Sequence, residues 1–252
     1  MNKRLFFLIK WIFFPGFDIS TRKRMKFVKY LRTGNIKTLD AGCGNGAFDF
    51  AAVELGNRVL GIDFDAEKLK RCEEYRDYLK IPTDRCEFKV WNIYELEKLE
   101  EKFDQIICFE TLEHIKDDGG VLDTFARILN QNGVLHLCTP RADRKPFSGE
   151  KISHIEDGGH VRLGYTANDF KNLLELRGFT ITHEDAAVGF FGLALLSILQ
   201  AVSTSPLTRQ IPPRAKDAIS ACIFIILYPI TILDGIIPSK SLNIYVRAEK
   251  TY

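Results

Sequence analysis

The stretch Thr38-Leu39-Asp40-Ala41-Gly42-Cys43-Gly44-Asn45-Gly46 constrains this chain more than any other. An apolar, β-prone run from Ile36 to Leu39 enters three glycines at every second position. A helical pattern follows at once through Ala47, Phe48, Phe50, Ala51, Val53 and Leu55. Strand, glycine turn and helix together bring backbone N–H groups and a helix N-terminus against a nucleotide-like ligand. Asp40 ends the strand two residues before the first glycine, and Asp63 ends the next apolar run, Val59-Leu60-Gly61-Ile62. A pyrophosphate-binding turn reads G-x-G-x-x-G. Here the third glycine comes one position early and a carboxylate precedes the set. A carboxylate there repels a pyrophosphate and suits a cationic, amino-acid-bearing ligand.

Beyond the turn the chain alternates strand and helix patterns, which predicts an α/β fold with a Rossmann-like, doubly wound, mostly parallel sheet and helices on both faces. Strands are expected over 58–63, 86–91, 103–109, 133–139 and 178–182, and helices over 65–80, 119–129 and 168–177. Residues 242–248 alternate like a last strand. In an open parallel sheet a ligand binds at the C-terminal strand ends. Asp63 there can accept two hydroxyl hydrogen bonds, which suits a ribose, and Phe64 offers a face for adenine.

The run D-A-G-C-G-N-G followed by G-I-D-F-D resembles motif I and its successor in the class I S-adenosylmethionine-dependent methyltransferases, over about residues 38–181 with 242–248 as the last of seven strands. The resemblance implies S-adenosylmethionine as cofactor. The contacts it implies come from Asp40, Gly42, Cys43, Gly44, Gly46, Asp63, Phe64, Asn92, Ile93 and Phe109, with Asn92 where the family usually has an aspartate reading the adenine amino group and Phe109 offering backbone to the methionine portion.

The fourth strand runs straight into Glu110-Thr111-Leu112-Glu113-His114-Ile115. Glu110 and Glu113, three apart, are expected on one side of a helical turn with His114 adjacent. Two carboxylates and an imidazole make a reasonable divalent-metal set, and His160, in a long loop after the fifth strand, is a candidate fourth ligand. The E-x-x-E-H run resembles the metal motif of the ubiquinone-pathway O-methyltransferases and, with a downstream histidine, that of the small-RNA 3′-terminal 2′-O-methyltransferases. The resemblance implies a divalent cation such as Mg that holds and acidifies a substrate hydroxyl pair. Two plainer readings stand beside it. Glu113 and His114 act on the substrate without a metal, or the segment is structural and a glutamate merely caps a helix.

Of 35 basic and 33 acidic residues in 252, nine basic and one acidic fall in the first 32, so that segment carries +8 and the remainder −6. Six cysteines without a C-x-x-C pair suit a reduced, cytoplasmic setting. Residues 5–17 are apolar and aromatic but are interrupted by Lys10 and lack a small-residue cleavage site. They are too short to span a bilayer, which needs ~20 residues, and read as a lid helix over the ligand pocket or an interfacial anchor. Residues 186–208 and 218–233 carry no charge. A last strand that returns to the sheet requires both runs to cross a bilayer or neither. The second is favoured, as an apolar lid or a monotopic membrane contact. The expected organisation is an apolar and basic helical segment at 1–33, a methyltransferase domain at 34–185, a hydrophobic helical insertion at 186–240 and the last strand at 241–252. The expected activity is O-methylation of a hydrophobic or lipid-linked small molecule by an enzyme peripheral to a membrane. The acidic remainder disfavours nucleic acid as partner. An RNA 2′-O-methyltransferase with a metal site and a non-catalytic, methyltransferase-like partner subunit are the rivals.

Overall fold

The computed structural model describes residues 18–144, 152–205, 208–236 and 241–251. The expected helix at 5–17 lies outside them. The first described helix, α1 (Ile19–Arg24), is capped by Asp18, whose carboxylate accepts from the Ser20 and Thr21 amides, and runs on as a 3₁₀ turn (Met25–Tyr30). The sheet begins with β1 (Lys37–Ala41) and continues, after α2 (Ala47–Glu54), with β2 (Arg58–Asp63). Helix α3 (Ala66–Tyr78) starts where Asp65 caps two amides, and leads to β3 (Cys86–Val90). Then follow β4 (Phe103–Phe109), α4 (Asp118–Ile128), β5 (Leu129–Pro140), α5 (Ala167–Glu175) and β6 (Phe179–Asp185). Two apolar helices, α6 (Phe190–Thr204) and α7 (Pro213–Leu227), precede β7 (Asn243–Lys250).

The seven strands lie in the order β3-β2-β1-β4-β5-β7-β6. All pairs are parallel except those of β7, which is antiparallel to both β5 and β6. The order reverses at β1 and β4, so the crevice for a ligand opens beyond Ala41 and Phe109. Strands β1, β4 and β5 are buried nearly throughout, as a sheet covered on both faces requires. One face packs Leu39, Ile106, Leu122, Phe125 and Phe170. The other packs Phe27, Phe48, Phe109 and Tyr245, with Phe27 stacked on Tyr245 at 4.2 Å.

Strand β5 starts at Leu129, earlier than the expected 133. Asn132 takes the turn at φ +59°, the Asn130 side-chain carboxamide donates to the Asp104 carboxylate (2.7 Å), and the pairing with β4 shifts register between Phe103 and Gln105. The polar tripeptide 130–132 thus bulges out between Leu129 and Val134, which pair with Phe103 and Gln105 on either side of it.

The insertion is a helical pair standing on α1. Ile19, Leu195 and Phe224 meet in a buried cluster. Asp234 closes the pair: its carboxylate accepts from the Gly189 and Gly192 amides at the start of α6 (both 3.0 Å) and pairs with Lys23 (2.9 Å). Residues 215–233 form a 19-residue helical stretch, long and apolar enough by length and composition to cross a membrane, with 11% of it buried.

Candidate functional site

The glycine turn is shaped by its neighbours. Gly42 (φ +86°) lies under Thr111, whose Oγ1 would be 2.2 Å from any Cβ placed there. Only glycine admits that approach and that backbone angle. The Gly42 and Cys43 amides both donate to the Ile62 carbonyl (2.9 Å each), and Gly46 takes the first position before α2. The Gly44 amide donates to the Asp63 carboxylate (3.0 Å), whose other oxygen accepts from the Asp65 amide (2.9 Å). Asp63 is thereby held at the end of β2 by two backbone donors. Among the described residues, a Cβ on Gly44 would meet nothing within 4 Å, so the turn faces open space there.

Beside it stand Phe64, 76% exposed, and Asn92, also exposed, tied to β2 through the Trp91 amide on the Asp63 carbonyl (3.1 Å). The Asn92 carboxamide caps the 3₁₀ turn Ile93–Leu99 by accepting from the Tyr94 amide (3.0 Å). Ile93 is half-buried against the core. Phe109 contributes its ring to the core, edge-on to Phe48 (4.6 Å), and its carbonyl accepts from the Thr111 hydroxyl (3.1 Å).

Asp40 is buried, and burial pushes its carboxyl up to about 7, a rise opposed by a hydrogen bond with Asp49 and helped by the charge of Asp63. Asp49, in the first turn of α2, is fully buried, and burial together with Asp40 pushes it well above the usual carboxylate range. Two carboxyls in contact in a dry site hold a proton between them. Gly61 on β2 makes the room, because a Cβ there would fall 2.3 Å from Asp49 Oδ1. Sequence reasoning missed Asp49. The available signal was a lone carboxylate in the apolar run Ala47–Ala52.

Glu110 departs from its expected place. It follows β4 at φ +52°, ahead of the 3₁₀ turn Leu112–His114, so it does not share a helical face with Glu113. Its carboxylate turns toward β7 and α1, where it pairs with Arg24 (2.9 Å) and accepts from the Asn243 amide group (2.7 Å). The geometry therefore removes Glu110 from the expected metal set.

Glu113, His114 and His160 do come together, with one potential ligand atom of each within 4.8 Å of the others. The segment 152–165 docks on the turn after β4 by backbone and side chain. The Val161 amide donates to the Glu113 carbonyl (2.8 Å), the Arg162 guanidinium donates to the Ile115 and Lys116 carbonyls, and the buried Tyr165 hydroxyl donates to Asp118 (2.7 Å). Sequence reasoning singled out neither Arg162 nor Tyr165. His114 Nδ1 is 3.0 Å from the Gly159 carbonyl, which fixes the proton on that nitrogen and leaves Nε2 facing Glu113 Oε1 at 4.0 Å. The His114 and His160 rings meet edge to face at 4.8 Å. Glu113 is 1% exposed, and among the described residues neither carboxylate oxygen has a hydrogen-bond partner. Burial pushes it up to about 7 against the pull of Arg24, Arg144 and Arg162. A buried carboxylate without donors, beside an imidazole steered by a backbone carbonyl, is the donor arrangement a divalent cation needs. His154 is exposed and stands outside the cluster.

A family model described as a methyltransferase domain matches residues 32–177. The ubiquinone biosynthesis O-methyltransferase of Rhodopseudomonas palustris (strain HaA2) is 28% identical over 132 residues, covering 52% of this chain and 51% of that protein. The mitochondrial ubiquinone biosynthesis O-methyltransferase of Homo sapiens is 26% identical over 154 residues, covering 58% of this chain and 42% of that one. The chain thus spans about half the length of the curated relatives it matches. Among solved structures, phosphoethanolamine N-methyltransferase 2 of Haemonchus contortus in complex with S-adenosyl-L-methionine superposes with a TM-score of 0.63 at 17% identity, over 96% of this chain and 56% of that one. That likeness concerns the fold.

Proposed function

Because the chain belongs to the class I S-adenosylmethionine-dependent methyltransferases, we propose that it transfers the sulfonium methyl to a hydroxyl of a hydrophobic or lipid-linked small molecule. The observation that carries this reading is the cluster of buried Glu113 with half-buried His114 and His160 at the strand edge where the glycine turn opens. The relatives named for O-methylation in ubiquinone biosynthesis support the choice of oxygen. The apolar helices standing on α1, whose Arg24 reaches Glu110 beside the site, support a hydrophobic acceptor.

The cofactor roles follow from position. Asp63, held by two amides, would accept from the ribose hydroxyls, with Phe64 against the adenine and Asn92 and Ile93 at its edge. Asp40 would face the ammonium of the methionine portion across Gly42, Cys43, Gly44 and Gly46, and the Phe109 backbone would border the same portion. A cation near the pair would draw its shared proton off, because opposite charge favours the carboxylate. Glu113, His114 and His160 would hold a divalent cation such as Mg, which when bound lowers the pKa of an acceptor hydroxyl. Without that cation, His114 Nε2, which the Gly159 contact leaves unprotonated, would instead take the hydroxyl proton as base. The chain otherwise works by holding the nucleophile in line with the sulfur–methyl bond.

The test is transfer of labelled methyl from S-adenosylmethionine into a lipid extract and, separately, into RNA, each with and without chelator. Label is expected in the lipid fraction alone and is expected to fall with chelator. His114→Asn is expected to reduce it by roughly 10²–10⁴-fold, the usual contribution of a positioned base. Incorporation into RNA alone overturns the acceptor reading, and retention of full activity in chelator overturns the cation.

A further inference from the structure

We propose that the outer face of the α6–α7 pair docks on an anionic lipid surface, lying in the interface without crossing it. Ile219, Cys222, Ile226, Ile230 and Leu233 recur at helical spacing along α7 and the 3₁₀ turn after it, and all five are exposed, Ile226 to 70%. Residues 218–233 contain no charge. The opposite face of the same helix is already covered: Phe224 is buried with Ile19 and Leu195, stacks on Tyr228 at 4.7 Å, and lies under the Arg22 guanidinium. Among the described residues, nothing covers the exposed stripe. A long apolar stripe on a folded surface marks an interaction site.

Charge chooses the occupant. Residues 1–33 and 186–240 together hold thirteen basic and three acidic side chains, a balance of +10. All other residues hold 22 basic and 30 acidic ones, a balance of −8. Within the described residues, 18–33 and 186–236 hold nine basic and three acidic side chains, so the apolar stripe belongs to segments that carry net positive charge. A second copy would bring a like-charged surface to it, and a nucleic acid gives isoleucine nothing to bury against. An anionic bilayer answers both the apolar stripe and the positive surroundings.

The connections exclude a crossing. Asp234, directly after the stripe, is fastened to the Gly189 and Gly192 amides and to Lys23. The Leu242 amide donates to the Val188 carbonyl (3.0 Å), and β7 enters the sheet at once. Both ends of the hairpin are bound to the catalytic body. Sending the pair through a bilayer would carry α1, with Arg22 over Phe224 and Tyr228, toward hydrocarbon, where a charge is costly, and α6 with its 15 residues is shorter than the ~20 that a crossing needs. The inference deepens the reading of a hydrophobic acceptor and rests on it for its use, whereas vesicle binding and methyl transfer are measured apart.

The experiment is flotation of the full chain with vesicles of phosphatidylcholine and with vesicles of phosphatidylcholine plus phosphatidylglycerol. The mixed vesicles are expected to carry the protein, at least about tenfold more than neutral ones, since each basic residue near the surface adds ~1 kcal/mol. High salt or alkaline carbonate is expected to release it. The double substitution Ile226→Glu with Ile230→Glu is expected to lower flotation by at least about tenfold, with the heat of S-adenosylmethionine binding unchanged. Vesicle binding that survives carbonate overturns the interfacial seat in favour of a crossing hairpin. Absence of flotation by the unaltered chain overturns the proposal, as does a concentration-dependent dimer that the double variant dissolves. Failed methyl transfer with intact flotation counts only against the acceptor reading.

Discussion

At the scale of single residues, the carboxyl pair Asp40–Asp49 makes a prediction that contact geometry alone would not. Both carboxyls titrate above their ordinary value of 3.8 in the folded chain, so folding retains protons that the unfolded chain has released. Their contribution to stability is whole below 3.8 and falls as pH rises; for Asp40 it is gone above about 7. Asp49→Asn removes one of the two titrating groups and is expected to flatten this decline. At neutral pH the ligand-free variant should melt roughly 2–4 °C higher, the effect of ~1 kcal/mol in a domain of this size. Thermal melts of both proteins across the acid-to-neutral range test it, and parallel curves would count against a shared proton. Asp40, Asp63 and the three glycines were legible in the sequence because spacing fixes their place on a strand–turn–helix unit. Asp49 was not, because its partner is met only when α2 folds over β1. The Glu110 side chain was misplaced because a positive φ interrupts the helical turn that an E-x-x-E spacing suggests.

At the scale of elements, the insertion depends on Asp234. Burial pushes its carboxyl up, but the Gly192 amide, the Lys23 ammonium and the Gly189 amide outweigh burial and hold it below the usual range. Its stabilising effect is therefore present at neutral pH and is lost as pH falls through the folded value. Asp234→Ala removes a cap for α6 and leaves Lys23 without that partner, an expected cost of about 1–2 kcal/mol. Hydrogen exchange should then quicken over 190–233 while β1, β4 and β5 stay protected, and uniform quickening would show that the pair is not a separable unit. Two uncharged runs before a last strand were plain in the sequence. The aspartate that ties them together was not, since it lies 45 residues from Gly189.

At the scale of the molecule, strand order was legible because each βα repeat obeys the same periodicity and connects to the right hand. The polar thread through the sheet was not. His136 donates from Nε2 to Gln105 (3.0 Å) and accepts at Nδ1 from the Tyr245 hydroxyl (2.8 Å), while Gln105 reaches Thr38 and Asn57. Burial, with Arg247 and Arg32, pushes His136 down to about 3, so it stays neutral. Tyr245→Phe leaves a buried ring nitrogen unpaired, which should cost about 1–3 kcal/mol. Denaturant unfolding checks this, with an unchanged slope expected because the surface exposed is the same. A loss well under 1 kcal/mol would mean that solvent replaces the hydroxyl.

The place of β7 has a consequence for biosynthesis. It fills the slot between β5 and β6, yet it follows both apolar helices in the chain. During translation α6 and α7 leave the ribosome while that slot is still vacant and β6 has no strand to join. The nascent protein must shelter its greasiest segment before its catalytic platform can close.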